Sequence, residues 1–188
     1  MIGLPTEQDE DLVAIRDLTV QLHEIMLRHA RPRGRIGRIV ASVNPLVPKP
    51  GTAYQWLPME QTGAIERKMK RMRALVAGID NVYFNIKSER HSYYQALLSL
   101  GDRRVAPAIE LAEANGGQWR KAVADAGVDG DFYIYRDRSN DAVLPWSIID
   151  GGMKDQFFRG EFEKATRAEW TLPPKRAKEN ARLLPVLN

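Results

Sequence analysis

The sequence GRIVASV, residues 37–43, sets the order of the elements around it. It is short, apolar and rich in β-branched side chains, which predicts a buried strand. Residues 44–52 follow with three prolines and a glycine, and these exclude regular structure directly after the strand. Because loops that follow buried strands carry ligand contacts in α/β folds, this loop is a first candidate for a binding segment.

A helical pattern precedes this strand. Apolar residues recur at spacings of three and four between Leu12 and Ala30, so they form one stripe along a helix. Thr6 and Asp9 have the spacing of a capping pair and predict where that helix begins. Residues 1–3, Met-Ile-Gly, have the character of a strand end.

A second helix and a second strand follow the loop. Residues 59–77 carry an apolar stripe, with basic side chains between Arg67 and Arg73 on the outer face. Residues 81–86 alternate in part and predict a strand. Helix and strand thus alternate, which predicts an α/β fold with parallel strands. Two or three strands are too few for a closed barrel, which needs about eight, so we expect further repeats upstream.

Composition limits the classes of protein to consider. The chain has 188 residues, 44% hydrophobic and 28% charged, which suits one globular domain or a domain plus a tail. A net charge of +4 and a pI of about 9.4 permit contact with nucleic acid without requiring it. No cysteine is present, so the chain itself cannot form a disulfide, a thiolate zinc site or an iron–sulfur cluster.

Nothing in the sequence indicates export or a membrane. No apolar run approaches the roughly 20 residues that span a bilayer, and residues 1–7 lack the pattern of a signal peptide. We therefore expect a cytoplasmic protein with no membrane partner.

The familiar catalytic and metal-binding motifs do not occur in the sequence. There is no G-x-S-x-G, P-loop, G-x-G-x-x-G or H-E-x-x-H. His23 and His29 lie on different faces of one predicted helix, and His91 is remote from both. We therefore expect this chain to hold no metal.

Two segments have the residue types of binding sites, and each has a plain structural alternative. Gly3 to Glu7 places a permissive glycine before a helix N-terminus, which suits an anion, or it forms an ordinary strand-to-helix turn. The proline-rich loop offers Lys49, Gln55 and Trp56 to a polar or aromatic ligand, or it simply packs its aromatic side chains.

Two basic segments are further candidates. Arg103 and Arg104 at a helix start suit a carboxylate or phosphate, but an internal salt bridge with Asp102 or Glu89 is the favoured explanation. The basic stripe at residues 67–73 is the best nucleic-acid candidate, although such a stripe is more often solvated surface.

Several segments resemble motifs of the radical SAM superfamily, and in the same order. Residues 3–11, GLPTEQDED, resemble its G-L-P-x-E-T-x-x-D signature, and residues 46–56, LVPKPGTAYQW, resemble the pattern F-V-P-K-P-x-T-P-F-Q-W. Residues 101–105 (GDRRV), 131–133 (DFY) and 144–152 (LPWSIIDGG) resemble further stretches of one subset. That subset comprises iron–sulfur oxidoreductases, often with a cobalamin-binding-type N-terminal domain.

This resemblance implies an architecture. Residues 1–90 would be the C-terminal part of the radical SAM barrel, a partial (β/α) barrel made of its last strands and helices. Residues 91–171 would form a mainly helical C-terminal extension, and residues 172–188 a tail. S-adenosylmethionine and a 4Fe–4S cluster are implied for the full-length protein. This chain has no CxxxCxxC loop, so alone it would hold neither cofactor and be inactive.

The resemblance also implies roles for single residues. By motif position, the following would lie near S-adenosylmethionine: Gly3, Pro5, Thr6, Glu7, Val43 and Asn44. The following would face the substrate or close the barrel mouth: Lys49, Gln55, Trp56, Arg103 and Arg104.

The implied partners are the missing N-terminal half of the barrel and a substrate that the sequence does not identify. Two other functions stay open. The chain could be an RNA-binding module of an RNA-modifying enzyme, using the basic stripe, Trp56, Trp119 and the arginine pair. It could also be an oligomerisation scaffold, because an open half-barrel exposes strand edges and apolar surface.

Overall fold

The computed structural model describes residues 1–141, 143–169 and 171, and its fold combines helices with a small parallel sheet. The strands are β1 (Ile39–Val43) and β2 (Val82–Ile86). The α-helices are α1 (Asp9–Ala30), α2 (Thr62–Val76), α3 (Glu89–Leu100), α4 (Ala106–Ala114), α5 (Trp119–Asp125), α6 (Gly130–Tyr135) and α7 (Asp155–Thr166). Short 3-10 turns follow α1 at Arg31–Arg33 and precede α4 at Arg103–Val105. The α/β class is confirmed.

The two strands form a β-α-β unit. β1 and β2 pair in parallel, with Ile39 opposite Val82 and Val43 opposite Ile86. α2 connects them along the chain, as parallel pairing requires a crossover. The carboxyl ends of the two strands therefore lie at the same edge of the sheet.

The strand end predicted at residues 1–3 joins this sheet through Ile2. The Ile2 N–H donates to the Asn44 carbonyl at 3.0 Å, and the Leu46 N–H donates to the Ile2 carbonyl at 2.7 Å. The bridge is parallel, between Ile2 and Pro45. The first residues thus run beside the segment that directly follows β1, and Ile2 is fully buried there.

The start of α1 differs from the expectation. The predicted capping pair Thr6–Asp9 is wrong, because the observed pair has the same spacing two residues later. The Gln8 N–H donates to Asp11 Oδ2 at 2.7 Å. Residues before Gln8 form a tight turn instead, since Glu7 directs its carboxylate back into that turn and not along the helix.

The hydrophobic core lies between the sheet and the inner faces of α1, α2, α3 and α6. It consists of Ile2, Leu12, Val43, Met59, Ile65, Met69, Met72, Ala96, Leu97, Leu100, Val105, Tyr133 and Ile134. Residues from both predicted domains share this one cluster, so the helices after β2 pack on the sheet unit as one body.

Only part of the apolar stripe on α1 reaches this core. Leu12 is buried and Ile15 packs against the core, whereas Leu18, Leu22 and Ile25 are about half exposed. Their spacing of four and three residues places these three side chains on one stripe of the helix. α1 therefore keeps an uncovered apolar stripe that runs along its length.

One face of the sheet is also uncovered. Val40 lies opposite Tyr83, and Ser42 lies opposite Asn85 on the same face. Val40 is 52% exposed and Tyr83 is 55% exposed. Parallel sheets are normally covered on both faces, so this exposure is unusual for the strand type.

The residues after β2 are mainly helical, as expected. They include the short helix α6, whose start is capped by Asp129 accepting from the Phe132 N–H at 3.0 Å. The predicted tail at residues 172–188 lies outside the described residues. Within the part of the chain that the structure describes, no helix has the length and apolarity needed to cross a membrane.

Candidate functional site

The turn at Gly3–Glu7 is built around the carboxylate of Glu7. Gly3 adopts a φ of +84°, a conformation that glycine takes without steric cost. Its N–H donates to Glu7 Oε2 at 2.9 Å. Because Ile2 is hydrogen-bonded to Asn44, this turn lies beside the residue that follows β1. Four predicted cofactor-binding residues, Gly3, Glu7, Val43 and Asn44, are thereby brought to one edge of the sheet.

Lys68 neutralises two carboxylates at this turn. Its Nζ lies 2.7 Å from Glu7 Oε1 and 2.7 Å from Glu60 Oε1. Burial lowers the pKa of Lys68, but its hydrogen bonds to Glu60 and Glu7 and their negative charges outweigh that and raise the pKa above its ordinary value. Glu7 is therefore engaged with Gly3 and Lys68, and it positions the turn instead of offering a carboxylate to a ligand.

The other two predicted residues of this turn differ in exposure. Pro5 is exposed, and Thr6 is half-buried. Thr6 lines a shallow cavity together with Tyr54 and the side chain of Lys164 from α7. This cavity therefore extends from the Gly3–Glu7 turn to α7.

The proline-rich loop is tied to the segment around Trp146. Gln55 Oε1 accepts from the Trp146 Nε1–H at 2.7 Å and from the Gly51 N–H at 3.2 Å. Gln55 is only 3% exposed, so this amide is held on two sides in a largely dry environment. The motif segments 46–56 and 144–152, far apart in sequence, therefore meet in space.

Trp56 packs inward, against side chains of α7. It is 2% exposed. Its ring lies 5.6 Å from the Phe162 ring, and the Arg159 guanidinium sits 4.7 Å from the Trp56 ring centroid. Its carbonyl accepts from the Arg138 N–H at 2.9 Å. The structural alternative, in which the loop packs its aromatic side chain, accounts for this residue.

A cavity of about 300 Å³ lies where this loop meets α7. Among its lining residues are Gln55, Trp56, Asp141, Trp146, Asp155 and Arg159. It combines two indole rings, an amide and charges of both signs, which suits a small polar molecule with an apolar part. Lys49, predicted to face a substrate, lies apart from it, exposed and 3.5 Å from Ser99 Oγ.

Asp102 is the centre of a second cluster. Its carboxylate accepts from the Arg104 backbone N–H at 2.9 Å and from Arg104 Nη2 at 2.6 Å. The Tyr133 hydroxyl donates to Asp102 Oδ1 at 3.0 Å. The hydrogen bond from Arg104 is the main cause that holds the pKa of Asp102 well below its ordinary value. Arg104 is thus engaged in an internal salt bridge, and both Arg103 and Arg104 are exposed.

This cluster joins two further motif segments. The segment 101–105 supplies Asp102 and Arg104, and the segment 131–133 supplies Tyr133. The Arg104 guanidinium also lies 5.8 Å from the Tyr133 ring centroid. The residue after Tyr133 also bonds to the segment that follows the proline-rich loop, because the Met59 N–H donates to the Ile134 carbonyl at 3.0 Å.

Arg138 is a buried cation that no sequence motif selects. It is fully buried, and its Nη1 donates to the Arg136 carbonyl at 3.1 Å. Within the described residues, its Nε and Nη2 have no hydrogen-bond partner. Burial, followed by the positive charge of Arg136, lowers the pKa of Arg138 to about 10. An isolated arginine in a polar loop carries no motif, so only the fold reveals its burial.

The residues present fit the implied cofactors only in part. The chain has no cysteine, and in the described ranges no three His, Cys, Asp or Glu side chains are grouped to hold a metal ion. No residue of this chain therefore fits a ligand of the 4Fe–4S cluster. The Gly3–Glu7 turn and Asn44 lie together at the strand ends, as the resemblance implies for S-adenosylmethionine, but the Gly3 N–H is bonded to Glu7 and the Asn44 carbonyl accepts from Ile2.

Comparisons with protein-family models, curated proteins and solved structures found no match to this chain.

Proposed function

We propose that this chain is the C-terminal portion of a radical SAM iron–sulfur oxidoreductase, forming the last part of its (β/α) barrel and one side of its cofactor and substrate pocket. The observation that carries the proposal is the position of the Gly3–Glu7 turn beside Asn44 at the carboxyl ends of parallel strands. Ligands of parallel barrels bind at that end. The resemblance assigns both segments to the same cofactor.

The uncovered surfaces of the fold support the same proposal. In a barrel, one face of each strand points to the interior and the other packs on the outer helices. In the proposed barrel, the exposed face with Val40 and Tyr83 would point to the interior. The apolar stripe of α1 would contact a neighbouring helix. Further strands outside this sequence would cover both.

The pairing of motif segments is the third support. Gln55 contacts Trp146, and Asp102 contacts Tyr133, so segments that recur together in the resembled subset are mutual neighbours here. In the proposal, these contacts stabilise the loop over the barrel mouth. The cavity beside Gln55 and Arg159 would then be the part of the substrate site that this chain contributes.

Reconstitution with iron and sulfide tests the proposal. We expect the purified chain to form no stable cluster absorbance in the visible range, because it has no thiolate ligand. We expect the genomic sequence upstream of Met1 to encode a CxxxCxxC loop in frame. The longer polypeptide should then bind the cluster and cleave S-adenosylmethionine under reducing conditions. A stable cluster on the short chain, or an upstream sequence without that loop, would contradict the proposal.

The uncovered apolar surface favours a second candidate, an oligomerisation scaffold. A second copy of the chain would cover Val40, Tyr83 and the stripe of α1 as well as missing strands would. Light scattering over a range of concentrations separates the two functions. A discrete oligomer that forms without any upstream segment favours the scaffold.

A further inference from the structure

A shallow groove lies between α3 and α5. Its cavity measures about 690 Å³. The side chains that line it come from both helices and include Arg90, His91, Tyr94, Trp119, Arg120 and Lys121. All six are basic or aromatic, so the groove combines positive charge with flat apolar rings.

The aromatic part of the groove is a preformed stack. The rings of Tyr94 and Trp119 lie 5.8 Å apart with an interplanar angle of 28°. Tyr93 supports the stack, since its ring meets Tyr94 edge-on at 5.5 Å and its hydroxyl donates to Asp131 at 2.7 Å. Tyr94 and Trp119 are both half-buried, so each keeps part of its surface open to the groove. A planar ligand would extend this stack at little cost in side-chain entropy.

The charged part of the groove consists of exposed cations. Arg90 and Arg120 are both exposed and line the groove together with the aromatic stack. Lys121 is also exposed but forms an ion pair with Asp125, so phosphate contacts are expected first from the two arginines. Their planar guanidinium groups suit bidentate contacts with phosphate oxygens.

Acidic residues mark one end of the groove. Glu66 and Glu89 line an adjoining cavity of about 320 Å³ that shares Arg90, Tyr94 and Arg120 with the groove. Carboxylates repel phosphate but accept hydrogen bonds from the amino groups of bases. In the bound nucleotide, the base edge would therefore turn towards Glu66 and Glu89.

We propose that this groove binds a nucleotide unit, with the base stacked beside Tyr94 and Trp119 and the phosphate held by Arg90 and Arg120. The groove shares no lining residue with the Gly3–Glu7 turn or Asn44, and the proposal does not depend on the proposed barrel chemistry. It also replaces the basic stripe of α2 as the preferred anion site. On that stripe, Lys68 and Arg71 already form ion pairs with residues of the N-terminal segment.

Two probes identify the source of the nucleotide. A labelled oligoadenylate, followed by fluorescence anisotropy, represents single-stranded RNA, and adenosine monophosphate, followed by calorimetry, represents a free nucleotide. Adenine is chosen because its amino group can donate to the carboxylates. Oligoadenylate binding at least about tenfold tighter than the monophosphate assigns the site to RNA, and equal affinities assign it to free nucleotides.

Charge reversal tests the arginines. The double variant R90E/R120E should weaken oligoadenylate binding at least about tenfold, because the two phosphate contacts become repulsive. The matched control K70E/R73E reverses the same charge on the exposed face of α2 and should weaken binding no more than about twofold. For wild type, the slope of log K against log salt should lie near about −1.4, since each contact with a single strand contributes roughly −0.7.

A substitution of the stack tests the base contact. Trp119→Leu should weaken oligoadenylate and monophosphate binding by about fivefold or more, while circular dichroism shows that the helices are retained. Three results would overturn the proposal: wild-type affinity weaker than about 1 mM for both probes, equal losses in R90E/R120E and K70E/R73E, or a salt slope near zero.

Discussion

The carboxylate of Glu7 determines the geometry of the turn before α1. It accepts from the Gly3 N–H and lies 2.7 Å from Lys68 Nζ, so the chain reverses between Gly3 and Gln8 without starting a helix. Gly3 is needed at this point for two reasons. Its φ is positive, and a Cβ there would lie 3.1 Å from Glu60 Oε2. The residue therefore combines a conformational and a packing requirement.

Replacing Gly3 with alanine should show both requirements. We expect Gly3→Ala to lower the free energy of unfolding by about 1–3 kcal/mol, measured by urea denaturation, because the strained φ and the close contact with Glu60 add. Gly51→Ala is the matched control, since Gly51 has a φ of +65° but no atom within 4 Å of the added Cβ. Equal losses in the two variants would show that the contact with Glu60 contributes nothing.

Asp102 joins three partners, so its charge matters for stability. It accepts from the Arg104 backbone and guanidinium and from the Tyr133 hydroxyl. These contacts hold the pKa of Asp102 below its ordinary value of 3.8. A carboxyl with a lowered folded-state pKa stabilises the fold above its unfolded-state pKa, and this contribution is lost as the pH falls through the folded-state value.

The stability difference between wild type and Asp102→Asn should therefore depend on pH. Wild type should be the more stable at pH 7, and the difference should shrink as the pH falls below about 4. Urea unfolding at a series of pH values measures it. The control is Asp129→Asn, the same substitution at the cap of α6, where the carboxylate accepts only from the backbone N–H of Phe132 among the described residues. A difference for Asp102→Asn that stays constant from pH 7 to pH 3 would argue against the charged contacts.

At the scale of elements, the proline-rich loop owes its position to a partner distant in the chain. Gln55 holds Gly51 within the loop and Trp146 outside it through the same oxygen. The segment around Trp146 thus closes over the loop and completes the cavity beside α7. These two hydrogen bonds hold a loop that has no regular structure of its own.

Trp146→Phe should loosen this loop without unfolding the chain. The variant keeps an aromatic ring but removes the donor to Gln55, a hydrogen bond worth about 1 kcal/mol. We expect faster hydrogen exchange at the Gly51 amide, which donates to the same oxygen. Trp119→Phe is the control and should leave the exchange of Gly51 unchanged. Unchanged exchange in Trp146→Phe would mean that the prolines alone fix the loop.

The elements themselves follow well from the sequence, for a physical reason. Apolar periodicity reports which side of an element is buried, so α2 and both strands appear within a few residues of their predicted bounds. α6 was not predicted because six residues are too few for a periodic signal, and its helix depends on the cap by Asp129.

The candidate site follows from the sequence less completely. The sequence selects Gln55 by residue type and offers Asp102 as a partner of Arg104. It does not show that Trp146 engages Gln55 or that Tyr133 engages Asp102. Such pairings join residues that are distant in the chain, and no local pattern encodes them. The burial of Arg138 depends in the same way on how loops assemble.

In the described part of the chain, two exposed apolar surfaces lie on the sheet and on α1. Val40 and Tyr83 are exposed on the open face of the sheet, and Leu18, Leu22 and Ile25 are exposed along α1. Two parallel strands cannot bury both of their faces with the helices present here. Missing barrel strands or a second copy would each cover this surface, so self-association of the isolated chain is the expected consequence.

Substitution of the open sheet face should reduce that association. The double variant V40T/Y83T places threonine, a good strand former, on both strands and removes apolar area from the exposed face. We expect the association constant to fall about tenfold, while the free energy of unfolding of the monomer changes by about 1 kcal/mol or less. Light scattering and sedimentation over a concentration series measure the first quantity, and urea unfolding at low concentration measures the second.

A second variant tests whether the association uses the open sheet face. Ile148 and Ile149 are 90% and 72% exposed but lie in the loop before α7, so I148T/I149T removes apolar area elsewhere. If only V40T/Y83T weakens association, the open sheet face is the surface through which the chain associates. If both variants weaken it equally, the association is unspecific, and the open face gives no support to either a missing barrel half or a second copy. A wild-type chain that stays monomeric at high concentration would show that the face is stable in water.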